Sequence, residues 1–324
     1  MYTYEELREI VNKAVNNMSY DYESDNLFEP VKYLMSMGGK RIRPVMVLMA
    51  CNLFDNKIER AIMPALGMEI LHNFTLAHDD IMDRSEMRRG APTVHRKWDV
   101  NQAILSGDVM AFIANECIMS APRPVMTQVM KIYNTAAIEV CIGQQMDMDF
   151  EKNTFVSHTD YLRMIELKTA VMIAASLKAG ATIGMADAGQ ADKLYEFGRN
   201  LGLAFQIQDD LLDTYGDPEI FGKKTGTDIV ANKKTILLIK ALELASGEQL
   251  KALNEQLKLE VFVPDEKIER VKAIFDDLNI RKAVENLAGQ YTELAYASLD
   301  EVKVEKDRKE ELMKLAAGLL KRTS

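Results

Sequence analysis

The chain reads as an all-α protein, and three observations carry that reading. Apolar residues recur at three- and four-residue intervals through nearly every long segment, beginning with Tyr4 to Val15. Helix-breaking punctuation falls between those segments, at Gly38-Gly39, Gly90-Ala91-Pro92, Ala121-Pro122, Gly216-Asp217-Pro218 and Pro264. No strand-type alternation competes with the helical period. After the first helix, further helices are predicted over 27–37, 42–53, 58–83, 99–119, 122–149, 158–179, 189–213, 232–246, 264–296 and 305–321. The 42–53 helix opens directly out of Gly38-Gly39-Lys40-Arg41-Ile42-Arg43-Pro44, and the 58–83 helix is apolar until it ends in aspartates. Met164 to Met185, rich in Ala, Gly and Met, suits close helix packing. The longest interruption, about Asp217 to Asn232, is rich in Gly, Lys and Asp and reads as an active-site loop, not a domain boundary. The expected architecture is therefore one domain, 1–324, larger than a four-helix bundle, with central helices buried on most faces.

Composition narrows the class further. With 324 residues, 48% apolar and 27% charged, the chain can bury a large core. No stretch approaches the ~20 apolar residues that span a bilayer, and the acidic, amphipathic MYTYEELREI is neither a signal peptide nor a basic transit segment. These point to the cytoplasm and exclude a transmembrane segment. The net charge of −9 argues against nucleic acid as partner. Cys51, Cys117 and Cys141 are far apart in apolar surroundings and are expected to be buried free thiols. His72, His78, His95 and His158 form no zinc set.

Two acidic triads carry the chemistry: Asp79-Asp80-Ile81-Met82-Asp83 and Asp209-Asp210-Leu211-Leu212-Asp213. Each repeats the spacing DDxxD at the end of an apolar helix, so its three carboxylates share one face. Carboxylates so close repel unless positive charge sits among them. A solvated acidic face would explain one such triad; two at the same spacing point to a shared role. Oxygen-only ligands favour Mg²⁺, with Mn²⁺ as the other candidate, over zinc. Two facing triads would form a cage for divalent metals and a diphosphate. Cations stand ready to balance the charge: Lys40 and Arg43, Arg88 and Arg89 just after the first triad, Lys223 and Lys224 after the second, then Lys168 and Lys233. No nucleophile–base pair and no Gly-rich phosphate loop of the P-loop or dinucleotide type is present. The chemistry is expected to be electrostatic, beside an apolar pocket.

In this order, GGKRIRP at 38–44, LHNFTLAHDDIMD at 71–83, RRGAPTVH at 88–95, KT at 168–169, FQIQDDLLD at 205–213 and GKKTGTDI at 222–229 resemble the trans-isoprenyl diphosphate synthases. The likeness runs from about Phe28 to the C-terminus. It implies an all-α isoprenoid synthase-type fold, a large helical bundle around a central cavity, normally a homodimer. It implies that Asp79, Asp80 and Asp83 bind Mg²⁺ against an allylic diphosphate, with Asp209 and Asp213 holding a further ion, three in all, and Asp210 supporting. Arg88, Lys168, Lys223 and Lys233 would grip the allylic diphosphate. Lys40, Arg43, His72 and Arg89 would grip isopentenyl diphosphate, and Thr169 and Gln206 would lie beside the reacting carbons. The allylic partner would be dimethylallyl, geranyl or farnesyl diphosphate.

Two departures bear on subgroup. Asn232-Lys233-Lys234-Thr235 stands where the family often has Gly-Lys before the Thr, and Ile236-Leu237 replaces a usual Pro. Phe74, five residues before Asp79, matches the aromatic stop of family members that make short products, and Thr75 stands where animal farnesyl synthases have a second aromatic. At 1.5 Å per residue Phe74 lies about 7–8 Å along the helix from Asp79, although an ideal wheel puts Thr75 nearer the carboxylate face. Geranylgeranyl diphosphate is the leading product on this resemblance. Farnesyl diphosphate is the alternative; a class I terpene cyclase or a non-catalytic synthase subunit are the other readings.

Overall fold

The computed structural model describes residues 1–20, 22–153, 155–217 and 225–321. Among these residues the structure is all-α apart from one two-residue ladder, and the chain groups into two compact units. The first comprises Met1–Ile138, Met172–Glu196 and Leu299–Met313; the second comprises Glu139–Val171, Phe197–Ser298 and the segment from Lys314.

In the first unit, α1 (Tyr4–Asn16) begins in a capping box: Glu6 N–H donates to the Thr3 hydroxyl, and the Glu6 carboxylate accepts from Thr3 N–H. Its Leu7, Val11 and Val15 form one buried stripe. Then come α2 (Asp25–Ser36), α3 (Ile42–Phe54) and α4 (Glu59–Met82). From Pro44 to Leu53 every residue of α3 is buried. At about 1.5–3 kcal/mol per buried aliphatic side chain, tertiary burial supplies most of the stability of this short helix. A hairpin follows, β1 (Met87–Arg88) against β2 (Ala91–Pro92), then α5 (Val94–Lys97) and α6 (Val100–Met119). Small residues let helix backbones approach. A β-carbon at Gly67 of α4 would lie 2.8 Å from the Ile118 side chain of α6, and one at Gly107 of α6 would lie 2.4 Å from the His78 ring of α4.

Helix α7 (Met126–Lys152), α8 (His158–Ile165), a π-helical turn at Glu166–Ala170, α9 (Val171–Ile183) and α10 (Ala188–Tyr215) continue the chain. Then come the single turn α11 (Thr227–Val230), α12 (Ile236–Leu244), α13 (Gly247–Leu257), α14 (Pro264–Asp277), α15 (Ile280–Asp300) and α16 (Lys306–Leu320). The second unit's core gathers Tyr161, Ile165, Ile207, Leu237, Leu253 and Phe275, among others.

Four expectations need correction. The hairpin is a strand pair too short to show alternation; its turn is set by Arg89 and Gly90, both at positive φ (53° and 78°) as a tight hairpin requires. The 264–296 run is two helices, broken where Asn279 takes φ 53°, a conformation asparagine tolerates. The 232–246 run starts only at Ile236, behind the Thr235 N-cap, and α13 was not foreseen. Cys51 and Cys117 are buried as expected, but Cys141 is exposed. No helix among the described residues is long and apolar enough to cross a membrane.

Candidate active site

The first triad closes α4, with Asp79 and Asp80 in its last turn and Asp83 as C-cap. Asp80 is buried, Asp79 partly so, and Asp83 exposed. The positive charge that the triad demanded is Arg88, returned by the hairpin. Its Nε donates to Asp80 Oδ1 and Oδ2 at 2.9 and 2.8 Å, and its Nη2 lies 2.7 Å from Asp80 Oδ1 and 3.5 Å from Asp79 Oδ2. Burial works against the guanidinium's charge, yet the carboxylates of Asp80, Asp79 and Asp83 outweigh it and raise the Arg88 pKa.

The neighbouring residue, Arg89, faces the glycine loop. Its Nη1 donates to Gly38 O, and its guanidinium lies close over Gly39, whose φ of 129° is a conformation that L side chains rarely adopt. Arg43 carries a buried Nε with no hydrogen-bond acceptor. Burial, with Arg89 adding repulsion, pulls its pKa down to about 10, partly offset by Glu69. His72 is driven well below the usual imidazole value by burial, then by Arg43, Arg89, Arg88 and Arg41, so it is neutral. The first unit thus groups Arg43, His72 and Arg89 into one electrostatically coupled cationic cluster, with Arg89 against a bare glycine backbone. Lys40 is exposed, its carbonyl accepting from Tyr4 OH at 2.5 Å. Phe74 is half-buried with its ring edge-on to His78, centroids 4.8 Å apart, and the Thr75 hydroxyl donates to His72 O at 2.9 Å.

The second unit holds the second triad. Asp210 is buried and accepts from Tyr161 OH, from Gln206 Nε2 at 3.3 Å and from Ile236 N–H at 3.3 Å. Burial lifts its pKa to about 6 against those hydrogen bonds. Asp213 accepts from Thr227 OH at 2.6 Å and Asp228 N–H at 3.0 Å, which fixes α11. Asp228 is pushed up to about 7 by burial, with Lys233 opposing and Asp210, Asp213 and Asp209 reinforcing; Lys233 Nζ lies 3.9 Å away. Lys168 and Thr169 occupy the π-turn. Lys168 Nζ donates to Asp147 at 2.6 Å and Thr169 OH to Gln206 Oε1 at 3.3 Å. The extra residue of a π-turn redirects side chains at functional sites. Here it sits between glycines: a β-carbon at Gly143 would lie 2.3 Å from Lys168 N, and one at Gly202 would lie 2.6 Å from Ala170 Cα. Lys223 and Lys224 lie outside the described residues.

Among the described residues no three His, Cys, Asp or Glu side chains gather as a ready-made metal cage. The donor chemistry nevertheless suits a hard cation, since each triad offers carboxylate oxygens alone. Five residues with clear parts here were not singled out from sequence. Arg41 and Glu69 form a buried ion pair at 2.6 Å; a lone Glu inside the apolar AIMPALGMEILHNF was the available signal. Asp228 lay inside the GKKTGTDI run, whereas Asp147 and Tyr161 had no signal beyond their place on helices.

The polyprenyl synthetase family profile matches residues 24–278. The chain belongs to that family. It is 37% identical over 321 residues to the geranylgeranyl diphosphate synthase of Saccharolobus solfataricus, covering 94% of this chain and 95% of that one. A crystal structure of a geranylgeranyl pyrophosphate synthase superimposes with TM-score 0.95 at 39% identity over 100% of both chains. That of geranylgeranyl pyrophosphate synthase from Corynebacterium glutamicum, complexed with isoprenyl diphosphate and magnesium, gives 0.86 at 29% identity over 98% of each. The all-α, multi-helix bundle is therefore the isoprenoid synthase-type fold.

Proposed function

We propose that the chain is a magnesium-dependent, head-to-tail trans-prenyltransferase that joins isopentenyl diphosphate to an allylic diphosphate, with geranylgeranyl diphosphate as product. The observation that carries the reading is the coupled cluster of Arg43, His72 and Arg89, with Arg89 against Gly38-Gly39, on the same unit as the first triad. An orphaned, buried Arg43 Nε and a neutral His72 suit a strongly anionic, hydrogen-bond-accepting guest. Isopentenyl diphosphate is that guest, held by Lys40, Arg43, His72 and Arg89.

Asp79, Asp80 and Asp83 would hold Mg²⁺, and Asp209 and Asp213 a further ion, up to three ions, with Mn²⁺ able to substitute. When bound, the metal supplies charge neutralisation to the allylic diphosphate as it departs. Arg88, Lys168, Lys223 and Lys233 orient that diphosphate. Its C–O bond breaks to give an allylic cation, which the Thr169 and Gln206 oxygens stabilise. The isopentenyl double bond then forms the new C–C bond, and the departed diphosphate takes the proton, so no protein base is required. Phe74, with Thr75, limits tail length. Both units would serve as one prenyltransferase domain in a cytoplasmic homodimer.

The test is incubation of the purified chain with Mg²⁺, isopentenyl diphosphate and each of dimethylallyl, geranyl and farnesyl diphosphate, with product-length analysis. C20 product that disappears in excess chelator is expected. Diphosphate release without isopentenyl diphosphate would instead indicate a cyclase, and no turnover by the single chain would remove the enzymatic reading.

A further inference from the structure

Arg41 stands between two residues assigned to substrate, Lys40 and Arg43, yet its own side chain turns inward and is 5% exposed. Its Nη1 donates to Glu69 Oε1 at 2.6 Å, its Nη2 to Met35 O at 2.6 Å and its Nε to Asn12 Oδ1 at 3.3 Å. Glu69 is buried too, and Asn73 Nδ2 donates to its backbone oxygen at 2.8 Å and its Oε1 at 3.3 Å. These partners come from α1, α2 and α4, so three helices converge on one guanidinium. The backbone they hold is unfavourable at Arg41, a non-glycine at φ 50° that directly follows the positive-φ stretch of Gly38 and Gly39 (70° and 129°) and Lys40. Such conformations persist only where surrounding contacts over-determine them.

We infer that the buried Arg41–Glu69 pair is a positioning device that holds the Gly38–Arg43 loop in the shape that receives the diphosphate of isopentenyl diphosphate. The inference rests on the reading of Lys40, Arg43, His72 and Arg89 as that substrate's grip. Field alone does not explain Glu69, because a carboxylate beside an anion site weakens the attraction for the anion. Its value lies in geometry. Without the anchor, the loop is free to leave its positive-φ conformation, carrying the Gly39 backbone away from Arg89 and the Arg43 side chain away from His72 and Arg89. The allylic diphosphate, assigned to other residues, does not depend on the loop. The anchor therefore acts on one substrate.

The decisive variant is Arg41→Met with Glu69→Leu in the same chain, which removes both charges at once and leaves the local net charge unchanged. Steady-state kinetics would vary each substrate at saturating levels of the other. The KM for isopentenyl diphosphate should rise at least tenfold, while kcat and the allylic KM stay within about twofold. An isopentenyl diphosphate KM within twofold of wild type overturns the inference. So does a parallel rise of both KM values, which is what a merely structural role would give. If the double variant does not fold by circular dichroism, Asn12→Ala decides: it removes only the outermost contact and should raise the same KM about threefold, with no change counting against the anchor. Wild-type chain lacking turnover dependent on isopentenyl diphosphate would overturn the functional reading itself, and the anchor with it.

Discussion

Phe74 and His72, two residues apart on α4, lead to separable predictions. Phe74 rests edge-on against His78, whose Nε2 in turn lies 3.2 Å from Ile104 O of α6, so the ring is braced from behind. Phe74→Ala removes the braced ring and should shift products beyond C20, read by chain-length analysis; an unchanged spectrum moves the tail stop to another residue. His72 makes a prediction about stability. Its folded pKa is depressed, whereas in the unfolded chain it titrates near 6.5. The unfolded state therefore takes up the proton first as pH falls. The contribution is fully present above pH 6.5 and shrinks below it, by up to about 1.4 kcal/mol per unit until the folded pKa is reached. Thermal melts between pH 7.5 and 5 should show wild type losing more stability than His72→Gln, which cannot titrate there. Parallel profiles would place His72 in an ordinary, solvated setting.

At the scale of elements, the π-turn at Glu166–Ala170 depends on neighbours that have no side chain. Gly143→Ala drives a β-carbon towards Lys168 N, a backbone atom that cannot swing away. Overpacking of this kind costs about 1–3 kcal/mol, and here it should also displace Lys168 from Asp147 and Thr169 from Gln206. A lowered melting temperature with a fall in kcat is expected; wild-type kcat would mean that the turn's position does not matter to catalysis. These elements also show where sequence was informative. The helices ending in the two triads were legible because long apolar periods and repeated carboxylates are local signals. The break at Asn279 was not, because a left-handed asparagine leaves no gap in the apolar pattern. Nor was the π-turn, since Lys168-Thr169 sits inside an unbroken helical period and the turn is set by room at Gly143 and Gly202. Arg41 was hidden among apparent surface cations because its partner Glu69 lies 28 residues along the chain. The hairpin's Arg89-Gly90 turn was visible as punctuation, but the use of Arg88 as the triad's counter-charge is a tertiary fact.

For the whole molecule, the first unit presents apolar side chains that its own core does not use. Leu105, Phe112 and Met119 of α6 recur every seven residues and are 57%, 71% and 55% exposed. A seven-residue apolar stripe lies along one side of a helix, the pattern by which helices pair, and exposed apolar stripes of this kind mark association surfaces. A second copy of the chain offers the same stripe, so a two-fold contact would be self-complementary. The homodimer belongs to the proposed function, and α6 is where it should be most sensitive. Phe112→Glu places a carboxylate at the stripe's centre, where burial without a partner costs several kcal/mol, while the monomer's core is untouched. Sedimentation should give twice the chain mass for wild type and a single chain mass for Phe112→Glu, with helical content equal in both. A wild-type chain that sediments singly at micromolar concentration would end the dimer reading, and a dimeric Phe112→Glu would move the contact off α6.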